Sequence, residues 1–205
     1  MNNIYYVLFP LYTGGHHLSN LLSLGSSFNE IVRGDYNDIK NFYINNRATT
    51  FHYSMPKFEY DVTNKLIPQA YLDCIKISDI IVGGHLFTLL GQYQLLKEIG
   101  NLRILLIDMP VDCDSLVRKR ISKQLIMRNA VLDAFNVEQL LLFKPDIIQR
   151  IIDIPMESIT DISSELFNSY NTPVFSELNN KLNLGLPLEQ CTELHNIWMN
   201  KLYGV

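Results

Sequence analysis

Three short segments of this chain carry residue types that could do chemistry, and each follows an apolar run. The first is Thr13-Gly14-Gly15-His16-His17, after Ile4 to Phe9. Glycines at a strand exit let backbone N–H groups converge, and a helix that starts there aims its dipole at the same point. The natural ligand is an anion such as a phosphate or sulfate. Thr13 adds a hydroxyl, and His16 and His17 add imidazoles that donate to an anion when protonated or simply cap the turn. An ordinary βα turn with nothing bound is the other reading of the same residues. The second segment is Gly83-Gly84-His85, after Ile80 to Val82. A histidine at such an exit can take the proton of an attacking hydroxyl, the work of a general base, or its ring can satisfy a loop carbonyl. The third runs from Asp108 through Pro110, Asp112 and Ser115 to Arg118, Lys119 and Arg120, after Arg103 to Ile107. Ser115 and Arg118 are close to one helical turn apart, so a hydroxyl and a guanidinium fork could share phosphate oxygens. Alternatively, Asp114 or Ser115 caps the helix and the basic residues form its solvated face.

The elements that must position these groups follow from the apolar patterning. Tyr5 to Phe9, Asp79 to Val82 and Arg103 to Ile107 are short, β-branched or aromatic, and bounded by turn residues, which predicts strands; Gln139 to Phe143 is a weaker fourth. Helical spacing covers Leu18 to Leu24, Ile67 to Lys76, Phe87 to Ile99 and Ser115 to Phe135. Near-continuous apolar strands alternating with helices imply an α/β fold, a three-layer sandwich around a mostly parallel sheet. Ligands of such sheets bind beyond the carboxyl ends of the strands, so His85 would face the same crevice as the first turn. Residues 34–61 break the alternation and form a long insertion whose aromatics, Tyr36 and Tyr43 among them, could wall a substrate or form a satellite cluster. From residue 156 to 205 the pattern predicts helices only: Ile159 to Tyr170, Val174 to Leu182 and Glu189 to Tyr203, broken at Leu184 to Leu188.

Composition narrows the function classes. The chain has 205 residues, enough for one domain with a sizeable core, with 47% hydrophobic and 19% charged residues. A net charge of −4 removes the usual electrostatic case for a nucleic-acid polymer as partner. The first apolar run is too short to span a membrane and has no basic residue before it, so neither a membrane segment nor a signal peptide is expected. Cys74, Cys113 and Cys191 lie far apart without metal-ligand spacing, which suits reduced thiols in the cytoplasm and no metal site.

Taken in order, the segments resemble the sulfotransferase family of P-loop-like folds, which transfer a sulfuryl group from 3′-phosphoadenosine 5′-phosphosulfate. Phe9-Pro10-Leu11-Tyr12-Thr13-Gly14-Gly15-His16-His17-Leu18 is similar to the family's strand and 5′-phosphosulfate loop. Gly83-Gly84-His85-Leu86 is similar to its Lys-Thr-His-Leu element, and Ile104 to Ser115 to the element that binds the 3′-phosphate. Leu182 to Leu188 and Leu194-His195-Asn196-Ile197-Trp198 resemble the closing helices of bacterial and phage-encoded members. The resemblance implies a donor held by Thr13, Gly14, Gly15, His16 and His17, with His85 as base, Ser115 and Arg118 on the 3′-phosphate, and a small-molecule or glycan hydroxyl as acceptor. The chain departs from the pattern in having no lysine in the first loop, none before His85, and Asp108 where the 3′-phosphate arginine is expected. Those departures keep open a catalytically degenerate binding or assembly protein, for instance in a virus particle. A nucleotide or nucleoside kinase with Asp108 on magnesium is a further alternative, opposed by the missing Gly-Lys-Ser or Gly-Lys-Thr.

Overall fold

The computed structural model describes residues 1–9, 15–30, 32–45, 69–84, 86–107, 145–162 and 173–203. Four strands, β1 (Asn3–Leu8), β2 (Ile80–Gly84), β3 (Asn101–Leu106) and β4 (Ile159–Asp161), form one all-parallel sheet in the order β2-β1-β3-β4. Seven α-helices among the described residues accompany it: α1 (Gly15–Leu22), α2 (Tyr36–Asn45), α3 (Gln69–Ile77), α4 (Leu86–Ile99), α5 (Pro145–Ile152), α6 (Pro173–Leu182) and α7 (Leu188–Tyr203). The chain is an α/β protein. None of the described helices is long and apolar enough to cross a membrane.

β1 is central because its sequence suits nothing else. From Ile4 to Leu8 every side chain is buried, those on both faces of the pleat alike, so both faces of this strand are covered. Helix α1 packs on β1 and β2, and α4 on β3 and β1. The connection from β1 to β2 moves to one side of β1, and that from β2 to β3 moves back across it. Right-handed crossovers therefore place the α1 and α4 helices on opposite faces. Register is fixed at the amino ends. The Asp79 carboxylate accepts from Asn3 N at 2.7 Å and Asn3 Nδ2 at 3.1 Å, while Asn101 Nδ2 donates to Asn3 Oδ1 at 2.8 Å. With β2, β1 and β3 pinned at one end, their carboxyl ends finish level, Leu8 pairing with both Gly84 and Leu106.

Two expectations need correction. Ile159–Asp161 is a strand, not the start of a helix: it pairs with β3, Ile104 against Ile159, after a 3-10 turn at Met156–Ser158, so the C-terminal part is not wholly helical. Part of the aperiodic stretch, Tyr36–Asn45, is helix α2. Asp35 caps it, its Oδ1 accepting from Asp38 N at 3.0 Å, and Ile39 and Tyr43, one turn apart, are its buried residues. The expected helix at 115–135, the strand at 139–143, Cys113 and residues 46–61 of the insertion lie outside the described residues.

Candidate functional site

Three strand exits stand side by side at the carboxyl edge. Phe9 N–H donates to the Gly84 carbonyl at 3.3 Å, and Ile107 N–H donates to the Leu8 carbonyl at 3.0 Å. In the order β2-β1-β3-β4 the strand order reverses between β1 and β3, since β1 connects to one side and β3 to the other, and that is the place where open parallel sheets bind ligands. Helix α1 begins there. A Cβ at Gly15 would lie 1.9 Å from the Phe9 ring, so only glycine lets the first turn press onto that ring. A Cβ at Gly83 would lie 2.9 Å from Ser19 Oγ, which shows the same turn lying over the exit of β2. Ser19 Oγ itself donates to the Gly15 carbonyl at 2.9 Å. Gly15, His16 and His17 are thus the first turn of a helix whose amino end opens beside three exits. Thr13, Gly14, His85, Ser115 and Arg118 lie outside the described residues.

His16 and His17 part company within that turn. Adjacent helical positions differ by about 100°, and the inner face of α1 is Gly15, His17, Leu18, Leu21 and Leu22. His16 is half-buried with its ring 5.0 Å from that of Phe9. His17 is 1% exposed and enters a polar cluster under the helix. Its Nδ1 lies 2.8 Å from Tyr43 Oη and its Nε2 lies 3.2 Å from Nδ1 of His195, itself 2% exposed. Asn20 Nδ2 donates to Tyr43 Oη at 3.2 Å. The Trp198 ring stacks on His17 at 4.3 Å and 10°, and Phe175 meets His195 edge-on at 5.3 Å.

Hydrogen bookkeeping gives this cluster a direction. Asn20 supplies a hydrogen to the Tyr43 oxygen, so the phenol hydrogen can point to His17 Nδ1. His17 then carries its hydrogen on Nε2 and donates to His195 Nδ1, which places the His195 hydrogen on Nε2. Burial pushes the Tyr43 phenol up from its ordinary value, an effect the Asn20 hydrogen bond only partly offsets. The phenol therefore stays protonated and can keep its donor role. Helix α1 is in this way tied to α2 by Tyr43 and to α7 by His195 and Trp198.

The neighbouring groups are structural. Cys191, one turn before His195 on α7, is buried with Sγ 3.8 Å from the Leu21 carbonyl, and burial pushes its thiol up to about 12. It remains a neutral thiol rather than a nucleophilic thiolate. Lys201 Nζ donates to the carbonyls of Tyr43 and Ile44, the latter at 3.1 Å, and so closes the carboxyl end of α2. On the surface Glu193 joins α7 to α2 through Tyr36 and through Lys40 at 2.6 Å; these two bonds hold its carboxyl below the usual range, Lys40 having the larger effect. A cleft of about 460 Å³ opens beyond the far end of α1, where Glu30, Arg33, Asp35 and Gln190 line it. It is well away from the three strand exits. Among the described residues no group of three His, Cys, Asp or Glu could hold a metal ion.

Sequence reasoning did not find Tyr43, Asn20 or His195 as partners of His17. One signal was present: on α7 the buried set Cys191, Leu194, His195, Trp198 and Met199 carries a histidine on an otherwise apolar face. A buried imidazole needs a partner, but its spacing on α7 does not say which. Comparison with known proteins supplies no further assignment, since no family model, curated protein or solved structure matches the chain.

Proposed function

We propose that this chain is a sulfotransferase-like protein of P-loop-like, three-layer architecture that binds 3′-phosphoadenosine 5′-phosphosulfate at the carboxyl edge of its sheet. The observation that carries this reading is the meeting of three parallel strand exits at the amino end of α1, with Gly15 closing the first turn onto Phe9. The free backbone N–H groups of a helix's first turn suit an anionic group, and the absence of a Cβ at Gly15 lets that turn sit against Phe9 at the edge of the sheet. In this reading Thr13 and the Gly14-Gly15 backbone hold the 5′-phosphosulfate, while Ser115 and Arg118 hold the 3′-phosphate. His85, the residue after Gly84 in the sequence, removes the acceptor's proton in the same reading. A hydroxyl of a small molecule or glycan forms the new S–O bond. The S–O bond to the 5′-phosphate breaks, and 3′-phosphoadenosine 5′-phosphate leaves with the electron pair. Charge grows on that leaving phosphate, where prearranged donors have most effect.

Isothermal calorimetry with 3′-phosphoadenosine 5′-phosphate tests the reading. Saturable binding that weakens in Arg118→Ala supports it, and no heat at millimolar ligand sinks it. One observation favours a second reading, a binding or assembly protein that has lost the chemistry: the His17 ring is held in the core by Tyr43 and His195. The loop then has neither lysine nor the His17 ring for its ligand. On that reading His85→Ala, Thr13→Ala and Ser115→Ala leave the biological role intact, and a loss in any of them would refute it.

A further inference from the structure

We propose that the cleft beyond the far end of α1 is a binding site for a free α-amino acid with a basic side chain. Its volume of about 460 Å³ lies within the range of about 300–1,000 Å³ usual for small-molecule sites. Its walls are held in place by the chain itself. Ser26 N–H and Ser27 N–H donate to the Gly185 and Leu184 carbonyls, each at 3.1 Å. Val32 N–H and Arg33 N–H both donate to the Asn29 carbonyl at 2.8 Å, and Gly34 N–H donates to the Ser23 carbonyl at 2.9 Å. A Cβ at Gly34 would lie 2.4 Å from Ser23 Oγ, so glycine seats this segment beside the end of α1. Tyr36 donates to Glu193, which also pairs with Lys40 at 2.6 Å, and these bonds tie α2 to α7, the helix whose Gln190 lines the cleft. A ligand therefore meets a frame already ordered, which lowers the cost of binding.

The charges in this cleft are of both signs and are not spent on one another. Glu30 and Arg33 are three residues apart, yet among the described residues neither forms an ion pair. Asp35 uses Oδ1 to cap α2, accepting from Asp38 N–H at 3.0 Å, and keeps Oδ2 as an acceptor. The Arg33 guanidinium offers two parallel N–H donors, a fork that matches the two oxygens of a carboxylate. Ionised Glu30 and Asp35 can only accept, so each calls for an N–H donor, best a cationic one. The complement is a molecule with one carboxylate and two cationic centres, the pattern of free lysine, ornithine or arginine. Leu24 and Tyr36 supply apolar surface for the aliphatic stem of such a side chain, and the Asn37 and Gln190 amides both donate and accept. Two carboxylates against one guanidinium disfavour a phosphate or sulfate, the reverse of the preference proposed for the turn at Gly15. The cleft and the strand exits thus take ligands of different chemistry, and neither assignment depends on the other.

The test is calorimetry and amide NMR of the full chain with three probes. L-lysine carries the whole pattern, L-norleucine lacks the side-chain ammonium, and cadaverine lacks the carboxylate. L-lysine should bind saturably at millimolar concentration and shift the amide signals of Glu30, Arg33 and Gln190. Each analogue should bind about tenfold more weakly, the effect of one lost hydrogen bond between charged groups. Arg33→Gln should weaken L-lysine by about the same factor and leave cadaverine unchanged. Asp35→Asn, which keeps a capping side chain, should weaken L-lysine and leave L-norleucine unchanged. 3′-Phosphoadenosine 5′-phosphate should not compete with L-lysine. No saturable binding of L-lysine, equal affinity for the three probes, shifts confined to other parts of the chain, or competition by the nucleotide would each overturn the proposal. If a variant fails to fold, the three probes on the wild-type chain and the map of shifted amides decide.

Discussion

Replacing Tyr43 by phenylalanine isolates the polar part of the buried cluster, because the ring that fills the space stays and one oxygen goes. That oxygen accepts from Asn20 Nδ2 at 3.2 Å and faces His17 Nδ1 at 2.8 Å. Its removal takes a partner from two groups with almost no access to water, His17 and Asn20 being 1% and 2% exposed. Each buried polar group so deprived costs about 1–3 kcal/mol, and partial rotation of the Asn20 amide puts the sum near 3 kcal/mol. For a chain of this length that corresponds to a fall in Tm of roughly 6–12 °C. Thermal and urea unfolding followed by Trp198 emission measures it. The double variant with Asn20→Leu should cost at least 1 kcal/mol less than the sum of the singles, by the estimate that neighbours in one network couple by about 0.5–3 kcal/mol. A pH dependence comes with it. Burial raises the Tyr43 phenol above its ordinary pKa of 10.0, so the stability it confers is whole below pH 10 and is lost as pH climbs toward the folded value. The deficit of the variant should therefore shrink above pH 10. A cost below about 0.5 kcal/mol, or strict additivity with Asn20→Leu, would refute the hydrogen-bond assignment.

Gly15→Ala forces a Cβ to 1.9 Å from the Phe9 ring, so the ring or the first turn of α1 must move; a loss of about 1–3 kcal/mol in urea unfolding is expected, with weaker binding of 3′-phosphoadenosine 5′-phosphate. Lys201→Met removes the ammonium from the carbonyls ending α2 and should cost about 0.5–1 kcal/mol by the same measurement. The Cys191 thiol, pushed up to about 12 from 9.0, confers stability that is whole below pH 9 and disappears as pH rises toward 12. Wild type should lose about 2 kcal/mol more than Cys191→Ala between pH 8 and 10.5, read by urea unfolding at the two values. His16→Ala should weaken binding of that nucleotide with little change in Tm, because His16 is the half-buried imidazole of the turn; a large fall in Tm with unaltered binding would reverse the roles given to the two histidines.

How much was legible depends on where the determining contacts lie. The runs that became β1, β2 and β3 could be read directly because a strand buried on both faces is apolar at every position, as Ile4 to Leu8 is. β4 could not. Three residues, Ile159 to Asp161, carry too little pattern to mark a strand, and their conformation is set by pairing with Ile104 to Leu106, far away in the chain. Helix α2 is hidden in another way: Tyr36, Asn37, Asn41 and Asn45 are weak helix formers, and only Ile39 and Tyr43 bury a face. Its start is capped by Asp35, and its end is held by Lys201 of α7. On α7 the buried face carries Leu194, His195 and Trp198, while Ile197 is half-buried.

The same distinction separates the two histidines of the first turn. Spacing alone makes His16 and His17 equivalent candidates for an anion, because both follow a glycine pair at a strand exit. Helical rotation already divides them, since α1 must turn Leu18, Leu21 and Leu22 inward and His17 shares their face. What rotation cannot say is whether an inward imidazole is tolerable. That is answered by Tyr43 and His195, which give both ring nitrogens of His17 a partner, and by Trp198, which covers its face. A buried ring so completely engaged is better suited to holding α1 in place than to meeting a ligand. On the proposed function the donor's anionic group meets the backbone N–H groups of the turn and His16, while His17 fixes the angle at which they are presented.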